Sequence, residues 1–153
     1  MATVHTFSGN PFDRADALRR DEAAIADSAA SADSRYLPLW NLSVLVRLPP
    51  KGQNGEGEND TPTLGWLQQP DVARLGADVA PVLLGIEAGR VHFAIDVSDF
   101  DDPMRALNLG DDCQFDDARR AAMVLPAHES GILAQARSQL DWHRRHQFCS
   151  VCG

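Results

Sequence analysis

Residues 81–97 (PVLLGIEAGRVHFAIDV) restrict the fold more than any other stretch of this chain. Pro81 to Ile86 is a continuous apolar run, the pattern of a strand covered on both faces. Glu87-Ala88-Gly89 turns the chain back. From Arg90 to Val97 the residues alternate, with Val91, Phe93, Ile95 and Val97 on one face and His92 and Asp96 on the other. A hairpin of this kind needs further strands beside it and helices over it before its apolar faces leave water.

The flanks supply both. Tyr36 to Trp40 and Ser43 to Leu48, parted by Asn41, read as a second hairpin. Ser43, Leu45 and Arg47 share one face of it, and Val44, Val46 and Leu48 the other. Thr63 to Leu67 suits a short strand, and Gln68 to Ala77 a loop or short helix. Asn10-Pro11 marks a turn. Asp13 reads as an N-cap with Asp16 in capping-box position, and Asp21 caps a second, alanine-rich helical piece through Ala30. The acidic run 98–103 caps the next element. Phe115 to Leu125 has helical spacing and stops at Pro126. A last helix runs from about His128-Glu129 to His146, with Ile132, Leu133, Ala136 and Leu140 as one apolar stripe. The sum is an α+β fold, a mostly antiparallel sheet with packed helices, ending in a long C-terminal helix.

Residues 49–62 are rich in Gly, Asn, Glu and Pro and read as a flexible loop inserted between strands. The chain of 153 residues suits one domain over residues 1–147, able to bury about 70% of its unfolded surface. No apolar run reaches membrane-spanning length and no basic-then-apolar leader opens the chain, so no membrane is expected and the location reads as cytoplasmic.

Charge narrows the partners. The formal net charge is −8, with Lys51 the single lysine. Polyanion binding draws on clustered Lys and Arg. Arg137, Arg144 and Arg145 against Asp141 leave residues 137–153 at +2 and residues 1–136 at −10. The basic helix end suits either a phosphate-bearing ligand or, more simply, the negative end of the helix's own dipole.

Cys149 and Cys152 follow that helix as Cys-x-x-Cys-Gly. Two thiolates at this spacing supply one side of a tetrahedral zinc site, whose second pair normally lies about 15–20 residues further on. Residues 148–153 therefore read as the first half of a zinc ribbon, and the chain as the front piece of a longer protein. Two ligands are too few to hold zinc tightly here. A redox pair would sit at a helix N-terminus, where the dipole lowers the thiol pKa; this pair follows a helix. His143 and His146 read as polar helix positions, since a continuous helix points them away from a turn beyond its end. Cys113 reads as an inert, partly buried thiol, and His92 as a surface or satisfied histidine. Asp96, Asp99, Asp101 and Asp102, and likewise Asp111, Asp112, Asp116 and Asp117, read as caps and solvated loops, for neither set matches an EF-hand.

The run Trp142-His-Arg-Arg-His146 followed by Phe148-Cys-x-x-Cys-Gly153 resembles the start of the zinc ribbon in the NADH pyrophosphatases, a branch of the Nudix hydrolases. Residues 7–19 (FSGNPFDRADALR) and 87–97 (EAGRVHFAIDV) are similar to that family's opening and middle segments. The resemblance implies a degenerate Nudix-like, non-catalytic N-terminal domain that acts as scaffold and in dimer contacts. It implies structural zinc, Mg²⁺ or Mn²⁺ in a further, catalytic domain, and a homodimer that hydrolyses NAD(H) to NMN(H) and AMP, with NAD-capped RNA as a further substrate. The Nudix signature Gly-x5-Glu-x7-Arg-Glu-x-x-Glu-Glu matches no stretch here; Arg20-Asp21-Glu22 comes nearest and lacks the spaced glutamates. No catalytic residue is carried over, and cofactor-binding residues are left open. The rival expectation is a free-standing, non-enzymatic acidic interaction domain.

Overall fold

The computed structural model describes residues 9–50 and 61–146. The 1–6 segment, most of the 49–62 loop, and Cys149 and Cys152 with the rest of the 148–153 ribbon reading lie outside the described residues. In chain order the elements are α1 (Asp16–Arg19), α2 (Glu22–Ala30), β1 (Arg35–Trp40), β2 (Ser43–Arg47), β3 (Thr63–Leu64), β4 (Leu67–Gln68), α3 (Gln69–Ala73), β5 (Val82–Glu87), β6 (Arg90–Asp96), α4 (Pro103–Ala106), β7 (Cys113–Asp116), α5 (Ala118–Val124) and α6 (Ala127–Arg145).

The described strands form one sheet in the order β3-β2-β1-β6-β5, with β4 on β1 and β7 on β2. Only β1 and β6 run parallel, Tyr36 facing Phe93; the other pairings are antiparallel. The hairpin β1–β2 closes through Asn41 and Leu42, both at positive φ, which matches the right-handed twist of the strands it joins. At its open end β3 pairs with Val46 and Arg47 and β4 with Arg35 and Tyr36. Gly65, between those two short strands, donates its N–H to Leu45 O at 2.8 Å. A Cβ there would sit 2.6 Å from Leu45 Cγ, so this seam requires glycine.

Both faces of the sheet are covered. On one, Leu37, Leu39, Val44, Val46, Leu84 and Ala94 pack under Ala121 and Leu125 of the α5 segment and the stripe Ile132, Leu133, Ala136 and Leu140 of α6. On the other, Tyr36, Leu45, Leu83, Phe93, Ile95 and Val97 pack under Ile25 and Ala29 of α2, Val72 of α3 and Leu107 after α4. Leu83 and Leu84 go to opposite faces, as the doubly covered run requires.

Two sequence expectations need correction. Asp13 does not cap α1: its backbone is held in a bridge to Ile86, with N–H to O distances of 2.9 and 2.8 Å, so the helix starts later, after Ala15 at φ 51°. Its carboxylate accepts instead from Ala15 N, and no capping box with Asp16 forms. Phe115 is not helical. Residues 113–116 pair with β2 from Val44 to Arg47, and Asp117 caps the helix only after that strand. His92, read as a surface or satisfied histidine, is the satisfied one: it is buried, with Phe12 stacked on its ring.

Candidate functional site

The cover over β5 and β6 decides where a site can form. The chain from Asn10 to Asp13 runs along the free edge of β5 as a strap. Asn10 Oδ1 accepts from Phe12 N at 3.0 Å, a local turn that aims the Phe12 ring inward. Phe12 then stacks on His92, centroids 4.6 Å apart, and Trp66 meets the same imidazole edge-on at 4.9 Å. The imidazole Nδ1 lies 3.0 Å from Arg90 O. Burial is the main cause that lowers the His92 pKa, opposed by that carbonyl and by Glu87. His92 is a satisfied core histidine between two aromatic rings.

The burial makes stability depend on pH. In the unfolded chain the imidazole titrates near its ordinary value of about 6.5, and in the native state lower, so the unfolded state binds more protons in between. The stability tied to His92 is whole above that ordinary value and falls as pH drops through it toward the native pKa. Urea midpoints at about pH 7.5 and 5.5 should show a decline, and His92→Phe should shrink it. An unchanged decline would place the acid sensitivity elsewhere.

The β5 edge is blunted by side chains. Leu84 O accepts from Arg19 Nη2 at 3.0 Å and from Gln135 Nε2 at 2.8 Å, and Asn10 Nδ2 donates to Gln135 Oε1. These bonds fix the strap and α1 against α6 and leave a cleft of about 640 Å³ between them. A second cleft, of about 520 Å³, opens on the other flank of α6 beside Asp117, Arg119 and Arg137.

At the far end of α6, His143 stays on the helix and His146 is its C-cap, one residue past the last helical position. His146 stacks on Trp142 at 4.7 Å, with Nδ1 2.8 Å from Trp142 O. Arg145 pairs with Asp141 at 3.0 Å. His143, Arg144 and His146 line a hollow of about 360 Å³ opposite Asp78, Asp96 and Asp99, so the basic helix end faces the acidic body of its own chain. The acidic clusters resolve into local structure: Asp102 and Asp117 accept from helix N-terminal amides, and Asp96 from Ser98. Among the described residues no three His, Cys, Asp or Glu side chains converge as metal ligands. Cys113 is buried, with 5% of its surface exposed, and burial is the main cause that pushes its thiol pKa up. Glu129, whose carboxylate accepts from Leu64 N at 3.0 Å, is raised by burial and is committed to tying α6 to β3.

The described surface therefore presents clefts along α6 rather than a catalytic constellation. The strap and its cleft escape a reading of the sequence; the Asn-Pro-Phe-Asp turn is the available signal.

Residues 33–142, more than half of the chain, match the family model described as "NADH pyrophosphatase-like rudimentary NUDIX domain". The NAD-capped RNA hydrolases NUDT12 of Homo sapiens and Macaca fascicularis are each 52% identical to the chain over 33 residues. That stretch is 22% of this chain and 7% of theirs.

Proposed function

The chain belongs to the NADH pyrophosphatase-like rudimentary NUDIX domain family, and from that premise we propose that it is the N-terminal scaffold and dimerisation domain of a NAD(H) diphosphatase. The observation that carries the reading is the match over residues 33–142 in a sequence with no Nudix glutamate helix. Hydrolysis of NAD(H) to NMN(H) and AMP then resides in a C-terminal Nudix domain of a longer protein. The similarity to NAD-capped RNA hydrolases supports that RNA as a second substrate. Mg²⁺ or Mn²⁺ bound in that catalytic domain would neutralise charge as water attacks phosphorus.

The residues of this chain contribute shape. The seam at Gly65, the strap on β5 and the α5–α6 pair fix the domain, and α6 precedes Cys149 and Cys152 in the chain. Those thiols have the chemistry and spacing of two of the four ligands of a structural zinc. A cytoplasmic homodimer completes the proposal.

The test is the intact mass of the native protein from its source. The reading expects a mass well above 16.7 kDa, with a second Cys pair and a glutamate-rich helix in the added sequence. A native mass of 16.7 kDa would remove the hydrolase reading and leave the acidic interaction domain.

A further inference from the structure

On the sheet face opposite α6, Trp40 and Phe115 leave part of their rings uncovered. The centroids are 6.3 Å apart and the planes tilted by 55°, so the rings meet at an angle rather than stack. Both are held from behind. Trp40 Nε1 donates to Phe100 O at 3.0 Å, and β7 sets Phe115 opposite Leu45. With Pro103 and Met104 they wall a hollow of about 300 Å³, which Asp101 and Asp102 also line. That volume is at the small end for an organic ligand and suits a single side chain.

Charge says what kind of side chain. Between Asp96 and Asp117 the chain carries eight aspartates and one base, Arg105. Asp112 pairs with Arg47 and Asp116 with Arg120, whereas Asp101 and Asp102 form no ion pair among the described residues. Asp102 Oδ1 accepts from Arg105 N at 3.0 Å, which orients that carboxylate and occupies one of its oxygens. No cationic residue lines the hollow. Aromatic ring faces attract cations through their quadrupole, and carboxylates beside them act in the same direction. An arginine answers every wall: its stem covers apolar surface, its planar guanidinium lies against a ring, and its remaining donors meet carboxylates. A lysine brings a point charge without the planar face. A second copy of the chain is a poorer occupant. Its net charge of −8 opposes approach to an acidic surface, and the basic end of its α6 already faces aspartates of its own chain.

We propose that this hollow docks an arginine side chain from a basic peptide segment of another protein, with the guanidinium against Trp40 and Phe115 and in reach of Asp101 and Asp102. The proposal does not rest on the hydrolase reading and stands without it.

The test is an NMR titration of the 153-residue chain with the blocked tripeptide Gly-Arg-Gly and its lysine and citrulline counterparts, citrulline being the uncharged isostere of arginine. The Trp40 indole N–H resonance should shift saturably with the arginine peptide, while those of Trp66 and Trp142 stay in place. Citrulline should bind about tenfold more weakly, having lost both the cation–π attraction and the carboxylate pairing. Lysine should fall between the two. Asp101→Asn, at an exposed position, should weaken the arginine peptide about threefold, the worth of one exposed charge pair. Phe115→Leu keeps an apolar wall without a ring face and should cost a similar factor of about three. Should the leucine variant fail to fold, the asparagine variant and the citrulline comparison still decide. Equal binding of arginine and citrulline, or a Trp40 resonance unmoved by the arginine peptide, would overturn the proposal. A Trp40 resonance that moves with protein concentration and not with the peptide would overturn it as well, by making the hollow a contact between copies of this chain.

Discussion

Gly85→Ala should destabilise the domain by about 3 kcal/mol or more, at the top of the range for overpacked cores. The added Cβ would lie 2.3 Å from Asp13 O and 2.8 Å from Phe12 Cβ. Neither neighbour can give way alone. Asp13 O is bonded to Ile86 N at 2.8 Å, and Phe12 is stacked on His92. Gly85 also sits where the β5–β6 register shifts, so the strand is already irregular there. Relief requires lifting the strap, which gives up both bridge hydrogen bonds and the cover over His92. Urea unfolding followed by Trp fluorescence would measure the loss, since Trp66 reports on this cluster. A change below about 1 kcal/mol would mean that the strap is not tied to β5 as described.

Phe93→Ala should cost about 4 kcal/mol, within the usual span for deleting a buried phenylalanine ring. Phe93 is fully buried and lies in the parallel pairing of β6 with β1, with its ring stacked on Tyr36 at 5.4 Å. Tyr36 in turn donates its hydroxyl to Ala29 O near the end of α2. The cavity therefore loosens a side-chain tether of α2 to the sheet as well as the core itself. Hydrogen exchange should show α2 amides losing protection more than those of α6, which packs on the opposite face. Equal loss across both helices would indicate that the two cores respond as one unit.

The elements legible in the sequence are those set by local pattern. Both hairpins, the α2 cap at Asp21 and the stripe of α6 follow from alternation, turn residues and 3.6-residue spacing, and each is present. The failures all involve partners distant in sequence. Phe115 fits a helical period as well as a strand, and only the long-range pairing of Leu45 with Phe115 decides between them. Asp13 has the chemistry of an N-cap, but a bridge to a residue on β5 takes its backbone first. Whether His92 is a surface or a satisfied histidine stays open in the sequence, because the Phe12 and Trp66 that bury it lie far from it along the chain. The cleft beside α6 is hidden for the same reason: its walls, the strap and α1 on one side and α6 on the other, lie far apart along the chain. The ribbon cysteines, Cys149 and Cys152, rest on spacing and family resemblance alone.

The central claim is that this domain shapes a NAD(H) diphosphatase without performing its chemistry. The measurement that tests it most directly is AMP release from NADH by the purified 153-residue chain with Mg²⁺ or Mn²⁺. The scaffold reading predicts no release above the protein-free background. Metal-dependent release of AMP with turnover would contradict it, and would require a hydrolytic site built from residues other than a Nudix glutamate helix.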